Sequence, residues 1–353
     1  MTPGDSKQVF RAIPDVSEWP DHFGPGRSVL VHCPPPIRIC PSHFKPLRTG
    51  IIPALSSGCE RGHTLPPAPR RKGIMEIRFY GVRGSISVSG SRIGGNTACV
   101  EVTSQGHRLI FDAGTGIRAL GELLMRESAP QKATLFFSHL HWDHVQGFPF
   151  FTPAYLGTTE LSLYGPGANG AQALQSVLVQ QMEPPNFPVP LSIMRSRMTF
   201  GSALHGTPVE VGPFRVTPVD VPHPQGCLAY RVEADGHTFV YATDVELARD
   251  SLTRDVGRYL EGADALVLDA QYTPSEYAGQ GGIPKKGWGH STMVDAAQVA
   301  QAVGAQRLML FHHDPAHNDD LLENMAEEAR LHFFASEPAR EGKRIVLGST
   351  VTA

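Results

Sequence analysis

At 353 residues the chain is long enough for one large domain or two ordinary ones. Its 41% hydrophobic and 18% charged residues are those of an ordinary globular protein, and no apolar run approaches the roughly 20 residues that span a membrane. Five widely spaced cysteines, an odd number, argue against a disulfide framework, and residues 1–30 show no continuous apolar leader, so a cytoplasmic address is expected.

Residues 1–74 hold 13 of the 30 prolines, and 10 of the 31 Lys/Arg against 5 of the 34 Asp/Glu. Runs such as Pro34-Pro35-Pro36 and Pro66-Pro67-Ala68-Pro69 mark an extended, mostly disordered tail. The alternative expectation is that Met75 is the true start and the preceding segment an upstream artefact. Cys33, Cys40 and Cys59 lie near His32, His43 and His63 but form no Cys-x-x-Cys pair, which argues against a zinc module. The remainder, 75–353, is read as one domain with 21 basic and 29 acidic residues, a net charge of −8.

Along that domain, β-like runs fall at 76–80, 98–103, 108–112, 134–138, 161–164, 214–219, 227–232, 238–242, 265–269, 307–311 and 345–348. Helical spacing fits 116–126, 292–303 and 319–334, the last through Leu321, Leu322, Met325 and Leu331. Antiparallel meanders in the middle, then alternating strand and helix, suit two mixed sheets with helices outside. The proline-rich segment 150–198 reads as an apolar lid or wall. Gly114-Thr115-Gly116 lacks the third glycine and the lysine of a phosphate loop and is not read as one. Asp112, at a strand end, could equally cap a turn or fix the outer nitrogen of a metal-bound histidine.

The densest chemistry lies at Ser138-His139-Leu140-His141-Trp142-Asp143-His144. Ala133-Thr134-Leu135-Phe136-Phe137 reads as a buried strand, and His139 and His141 share one side of the chain that leaves it. Three imidazoles and a carboxylate in six positions can hold divalent ions. Four residues in one loop do not close two coordination spheres, so partners are sought at other strand ends. His223 follows 214–219, Asp244 follows 238–242, and His312-His313 follow 307–311; a carboxylate at Asp244 can bridge two cations and lower their repulsion. His107, His205, His237, His317 and His332 lack such placement.

These residues resemble the metallo-β-lactamase fold superfamily, whose signature is His-x-His-x-Asp-His followed by a distant His, Asp and His. The resemblance spans 75–353 and implies an αββα sandwich (class α+β). By position, His139, His141 and His223 would hold one ion and Asp143, His144 and His312 the other, with Asp244 bridging. Cys, common at the Asp244 or His223 position in true β-lactamases, occurs at neither. Trp288-Gly289-His290-Ser291-Thr292 is similar to the His-Ser-Thr triplet of the ribonuclease Z and cyclic-phosphodiesterase branch. There the triplet's histidine pairs with an upstream acid and protonates the leaving oxygen. Asp269 stands in that place here, where ribonuclease Z has Glu.

The implied activity is hydrolysis of a small phosphodiester or cyclic nucleotide. Two divalent ions, zinc first and manganese or iron as alternatives, would lower a shared water's pKa toward roughly 7 for attack on phosphorus. Asp143 would accept that water's proton or orient it, and His290, paired with Asp269, would act as general acid. A thioester, lactone or lactam hydrolase and a non-catalytic metal-binding module are the alternatives. A net acidic domain without a basic arm disfavours transfer RNA. A homodimer is implied by the family alone.

Overall fold

The computed structural model describes residues 73–127 and 131–348. The expected tail therefore lies outside the described residues, apart from Gly73 and Ile74. In chain order the elements are β1 (Met75–Gly81), β2 (Cys99–Ser104), β3 (His107–Phe111), α1 (Ile117–Leu124), β4 (Lys132–Phe136) and α2 (Trp142–Val145). Next come β5 (Glu160–Pro166), α3 (Gly170–Gln181), β6 (Arg197–Ala203), β7 (Val209–Val211), β8 (Phe214–Val221), β9 (Cys227–Ala234) and β10 (His237–Ala242). The chain continues through α4 (Arg254–Leu260), β11 (Ala265–Asp269), α5 (Pro274–Tyr277), α6 (Met293–Ala302), β12 (Leu308–Phe311), α7 (Asp319–Arg330), β13 (Ser336–Pro338) and β14 (Arg344–Leu347).

Two seven-stranded sheets form, ordered β14-β1-β2-β3-β4-β5-β6 and β13-β12-β11-β10-β9-β8-β7. Each is antiparallel at one end and parallel at the other: β3 to β6, and β10 to β13, run parallel. Period-two alternation decides what each face buries. Leu109, Phe111 and Phe136 enter a core shared with β8 to β12, while Ile110, Leu135 and Phe137 point the other way, into a cluster with α1 and α3. On the second sheet α6 packs on β11 and β12, and α7 on α6 and β13. The result is the expected αββα sandwich. Among the described residues no helix is long and apolar enough to cross a membrane.

Phe111 ties the two sheets together. Its ring lies 5.5 Å from Tyr230, 5.4 Å from Tyr241 and 5.8 Å from Phe136, and the residue is fully buried. Truncation would leave a ring-sized void between close-packed layers, so Phe111→Ala should lower stability by about 3–5 kcal/mol. Urea unfolding tests this; a loss under about 1 kcal/mol would contradict it.

Some expectations need correction. The segment 150–198 is no simple lid, because it contains β5 and α3, whose Leu174 and Leu178 are buried against the first sheet. The last long helix stops at Arg330 rather than 334, and Leu331, counted on its apolar face, is 83% exposed. Three short or edge strands, β6, β7 and β13, lay outside the expected runs.

Candidate metal centre

In the second sheet β8, β10, β11 and β12 deliver their C-terminal ends to one edge, since β8 is antiparallel to β9, β9 to β10, and β11 and β12 follow in parallel; the residues after β4 of the first sheet meet them there. These strand ends bring His139, His141, Asp143, His144, His223, Asp244, Asp269 and His312 together, and His290 joins them from the loop before α6. Asp112, Asp244 and His312 each take a left-handed backbone conformation just beyond a strand, with φ of 60°, 55° and 59°. Such conformations are uncommon for non-glycine residues. Here they turn three short side chains back across the strand ends. The backbone at Gly84 approaches His312 so closely that a Cβ there would lie 2.5 Å from the imidazole ring.

Donor atoms of His139, His141, His223 and Asp244 lie within 4.8 Å of one another, as do those of Asp143, His144, Asp244 and His312. Asp244 belongs to both groups. Its Oδ1 is 3.1 Å from His312 Nε2 and 3.2 Å from His144 Nε2, and its Oδ2 is 3.4 Å from His139 Nε2. Asp143 Oδ2 is 3.1 Å from His312 Nε2 and accepts the Ser85 amide at 2.7 Å. His313 points elsewhere, donating to the Ala339 carbonyl at 3.0 Å. The strand end thus presents His312, not His313, to the cluster.

The outer nitrogen of each imidazole is held by an oxygen. His144 Nδ1 donates to Asp112 at 2.8 Å, His223 Nδ1 to the Gly289 carbonyl at 2.9 Å, and His312 Nδ1 to Gln271 at 3.1 Å. His141 Nε2 donates to Gln225 Oε1 at 2.8 Å. Ser138 spends its proton on Asp112, so its oxygen accepts from His139 Nδ1 at 3.1 Å. These bonds fix the tautomers and leave the inner nitrogens as bare lone pairs. The Nε2 atoms of His139 and His144 are buried without a hydrogen-bond partner. Bare lone pairs aimed at carboxylates repel unless a proton or a cation stands between them.

The electrostatics agree. Burial opposes charge on Asp143 and Asp244, yet the neighbouring His144 and His312 hold both carboxyls well below the usual carboxylate range. Burial also opposes a charge on His144, but Asp244, Asp143 and Asp112 raise it well above an ordinary histidine. His139 is pushed well down by burial and by His144 beside it. A proton on His144 thus partly neutralises two buried anions, a task divalent cations perform better. Nitrogen and carboxylate donors in two four-residue groups fit zinc, and also manganese or iron.

Asp112 is tied to more than a turn: it accepts from Ser138, His144 and the Tyr241 hydroxyl, the last at 2.8 Å. Asp269 and His290 meet beside the cluster, with Nδ1 to Oδ2 at 2.7 Å. The His290 ring stacks on His312 with centroids 4.9 Å apart. Burial opposes the imidazolium form of His290, but Asp269, with Asp244 and Asp143 behind it, raises its pKa to about 9. A cavity of about 600 Å³ opens next to His223 and His290, walled by Pro222, Leu247 and Tyr277. No residue of 150–198 lines it. Gln225, Gln271, Tyr241 and Glu246 were not singled out in the sequence. Gln225, Gln271 and Glu246 each had a signal, standing two residues beyond His223, Asp269 and Asp244, whereas Tyr241 acts across segments distant in the chain.

The sequence profile of the beta-lactamase superfamily domain matches residues 107–313. Ribonuclease Z of Lacticaseibacillus casei (strain BL23) is 27% identical over 281 residues, covering 67% of this chain and 84% of that protein. The probable metallo-hydrolase YhfI of Bacillus subtilis (strain 168) is 27% identical over 237 residues, covering 64% and 82%. The crystal structure of the metallo-beta-lactamase fold protein YhfI from Bacillus subtilis superposes with a TM-score of 0.59 at 20% identity, over 78% of this chain and all of that one. The chain belongs to the beta-lactamase superfamily and is a hydrolase of the metallo-β-lactamase fold, with ribonuclease Z among its relatives.

Proposed function

We propose that this protein is a dinuclear metal-dependent phosphodiesterase acting on a small diester or cyclic nucleotide. His139, His141 and His223 would hold one divalent cation and Asp143, His144 and His312 the other, with Asp244 shared. Two such cations supply Lewis-acid stabilisation of a phosphoryl group and acidify water at neutral pH. The observation that carries the reading is the His290–Asp269 pair set against the ligand cluster. With Nδ1 engaged by Asp269, the Nε2–H of His290 is the proton available to a departing alkoxide. Asp143, which the Ser85 amide anchors, would orient the attacking water or accept its proton. A thioester or an activated lactam needs little protonation of its leaving group, so this dyad favours a phosphodiester.

Size and charge support a small substrate. The cavity beside His290 is of mononucleotide rather than duplex dimensions. Residues 75–353 carry the net charge of −8, which opposes a long polyanion. Relatives bearing the name ribonuclease Z make a transfer RNA precursor the necessary control. Full-length protein loaded with zinc or manganese should hydrolyse bis(p-nitrophenyl) phosphate and a 2′,3′-cyclic mononucleotide faster than a thioester, and leave a 3′-extended transfer RNA precursor intact. Faster thioester cleavage would overturn the reaction class; trimming of the precursor would overturn the substrate class.

A further inference from the structure

The loop that carries His290 has little intrinsic preference for one conformation. Gly279, Gly281, Gly287 and Gly289 all take positive φ within eleven residues. Something outside it must hold it, and one carboxylate meets it at three points. Glu246 Oε1 accepts the Tyr277 hydroxyl at 2.5 Å and the Gly287 amide at 2.8 Å, and its Oε2 accepts the amides of Gly287 and Gly289, each at 2.9 Å. The backbone amide of Glu246 donates to the Pro222 carbonyl at 2.9 Å. Gly289 in turn takes the Nδ1 proton of His223 on its carbonyl. A Cβ at Gly289 would lie 2.3 Å from that same nitrogen, so the approach is as close as the backbone allows.

We infer that Glu246 is a positioning residue that clamps the 287–290 loop, setting through the Gly289 carbonyl the orientation of His223 and through the chain beyond it the place of His290. The inference rests on the proposed roles of those two histidines. Glu246 stands two residues after Asp244, so a single strand exit supplies both the shared carboxylate and the clamp. Ser291 closes the same knot from the other side, donating to the Val245 carbonyl at 2.6 Å and accepting the Leu247 amide at 3.0 Å. Without the clamp the His223 imidazole loses its fixed acceptor, and the proton donor loses its register with the cluster.

The test uses full-length protein and two readouts. One is zinc affinity, by competition with a chromophoric chelator. The other is the ratio of kcat for an alkyl against a p-nitrophenyl phosphodiester, since only the alkyl group needs a proton to leave. Glu246→Ala should weaken one of the two zinc ions by about 10–100-fold, the range for partners that orient a ligand, and lower the alkyl ratio. Tyr277→Phe, which leaves both backbone amides their acceptor, should move both readouts the same way by less. Unchanged zinc affinity, or equal losses on the two diesters, overturns the proposal. If Glu246→Ala does not fold, Tyr277→Phe decides on the same terms. A wild-type protein that binds two zinc ions and cleaves no diester contradicts the phosphodiesterase reading alone, and the zinc arm then judges Glu246.

Discussion

Replacing Asp244 with asparagine is expected to reduce bound zinc from two ions per chain to one or none, and to lower turnover more than a hundredfold. Substitutions of residues that merely orient ligands typically cost about 10–100-fold. Asp244 does more, since its two oxygens lie between His139 on one side and His144 and His312 on the other. Asparagine keeps the shape but removes the charge and points an amide at an imidazole nitrogen. Cations a few ångströms apart then face each other with less negative charge between them. Metal analysis after gel filtration, alongside turnover, checks this. Two ions retained with near-normal rates would show that Asp244 is not shared.

The second large effect belongs to His290. His290→Ala should lower kcat on an alkyl phosphodiester by about 10²–10⁴-fold, the usual contribution of a general acid. A p-nitrophenyl diester should lose far less, and zinc content should stay at the wild-type level. The pH dependence follows from the same side chain. Its pKa is raised to about 9 with Asp269 beside it, so the acid form is present below that pH and lost above it. The rate on alkyl diesters therefore falls as pH rises through that limb, and bound cations, which disfavour the imidazolium, move the limb to lower pH. Equal losses on the two substrates would assign His290 a structural role.

Much of this site is legible in the chain because its chemistry is local. His139, His141, Asp143 and His144 sit in one turn after a buried strand, and apolar runs ending at Asp244 and His312 mark where distant ligands must arrive. Asp112 was ambiguous, since its partners His144 and Tyr241 lie 32 and 129 residues away. Gln225 and Glu246 stand two residues beyond expected ligands, but their partners His141 and Gly287 lie 84 and 41 residues away, and hydrogen bonds between loops leave no periodicity. The fold shows the same division. Central strands such as β11, buried at every position, announce themselves, whereas β6 is half-exposed along most of its length and reads as loop. Helix α3 was hidden by the prolines that follow it and by the brevity of its apolar stripe, Leu174, Val177 and Leu178, among Gln and Ser.

The most direct measurement is a zinc titration of metal-free full-length protein, following hydrolysis of bis(p-nitrophenyl) phosphate. Activity that rises with added zinc and saturates at two equivalents per chain is the predicted result. Saturation at one equivalent, or turnover indifferent to zinc and to chelation, would contradict a paired metal centre working through Asp244.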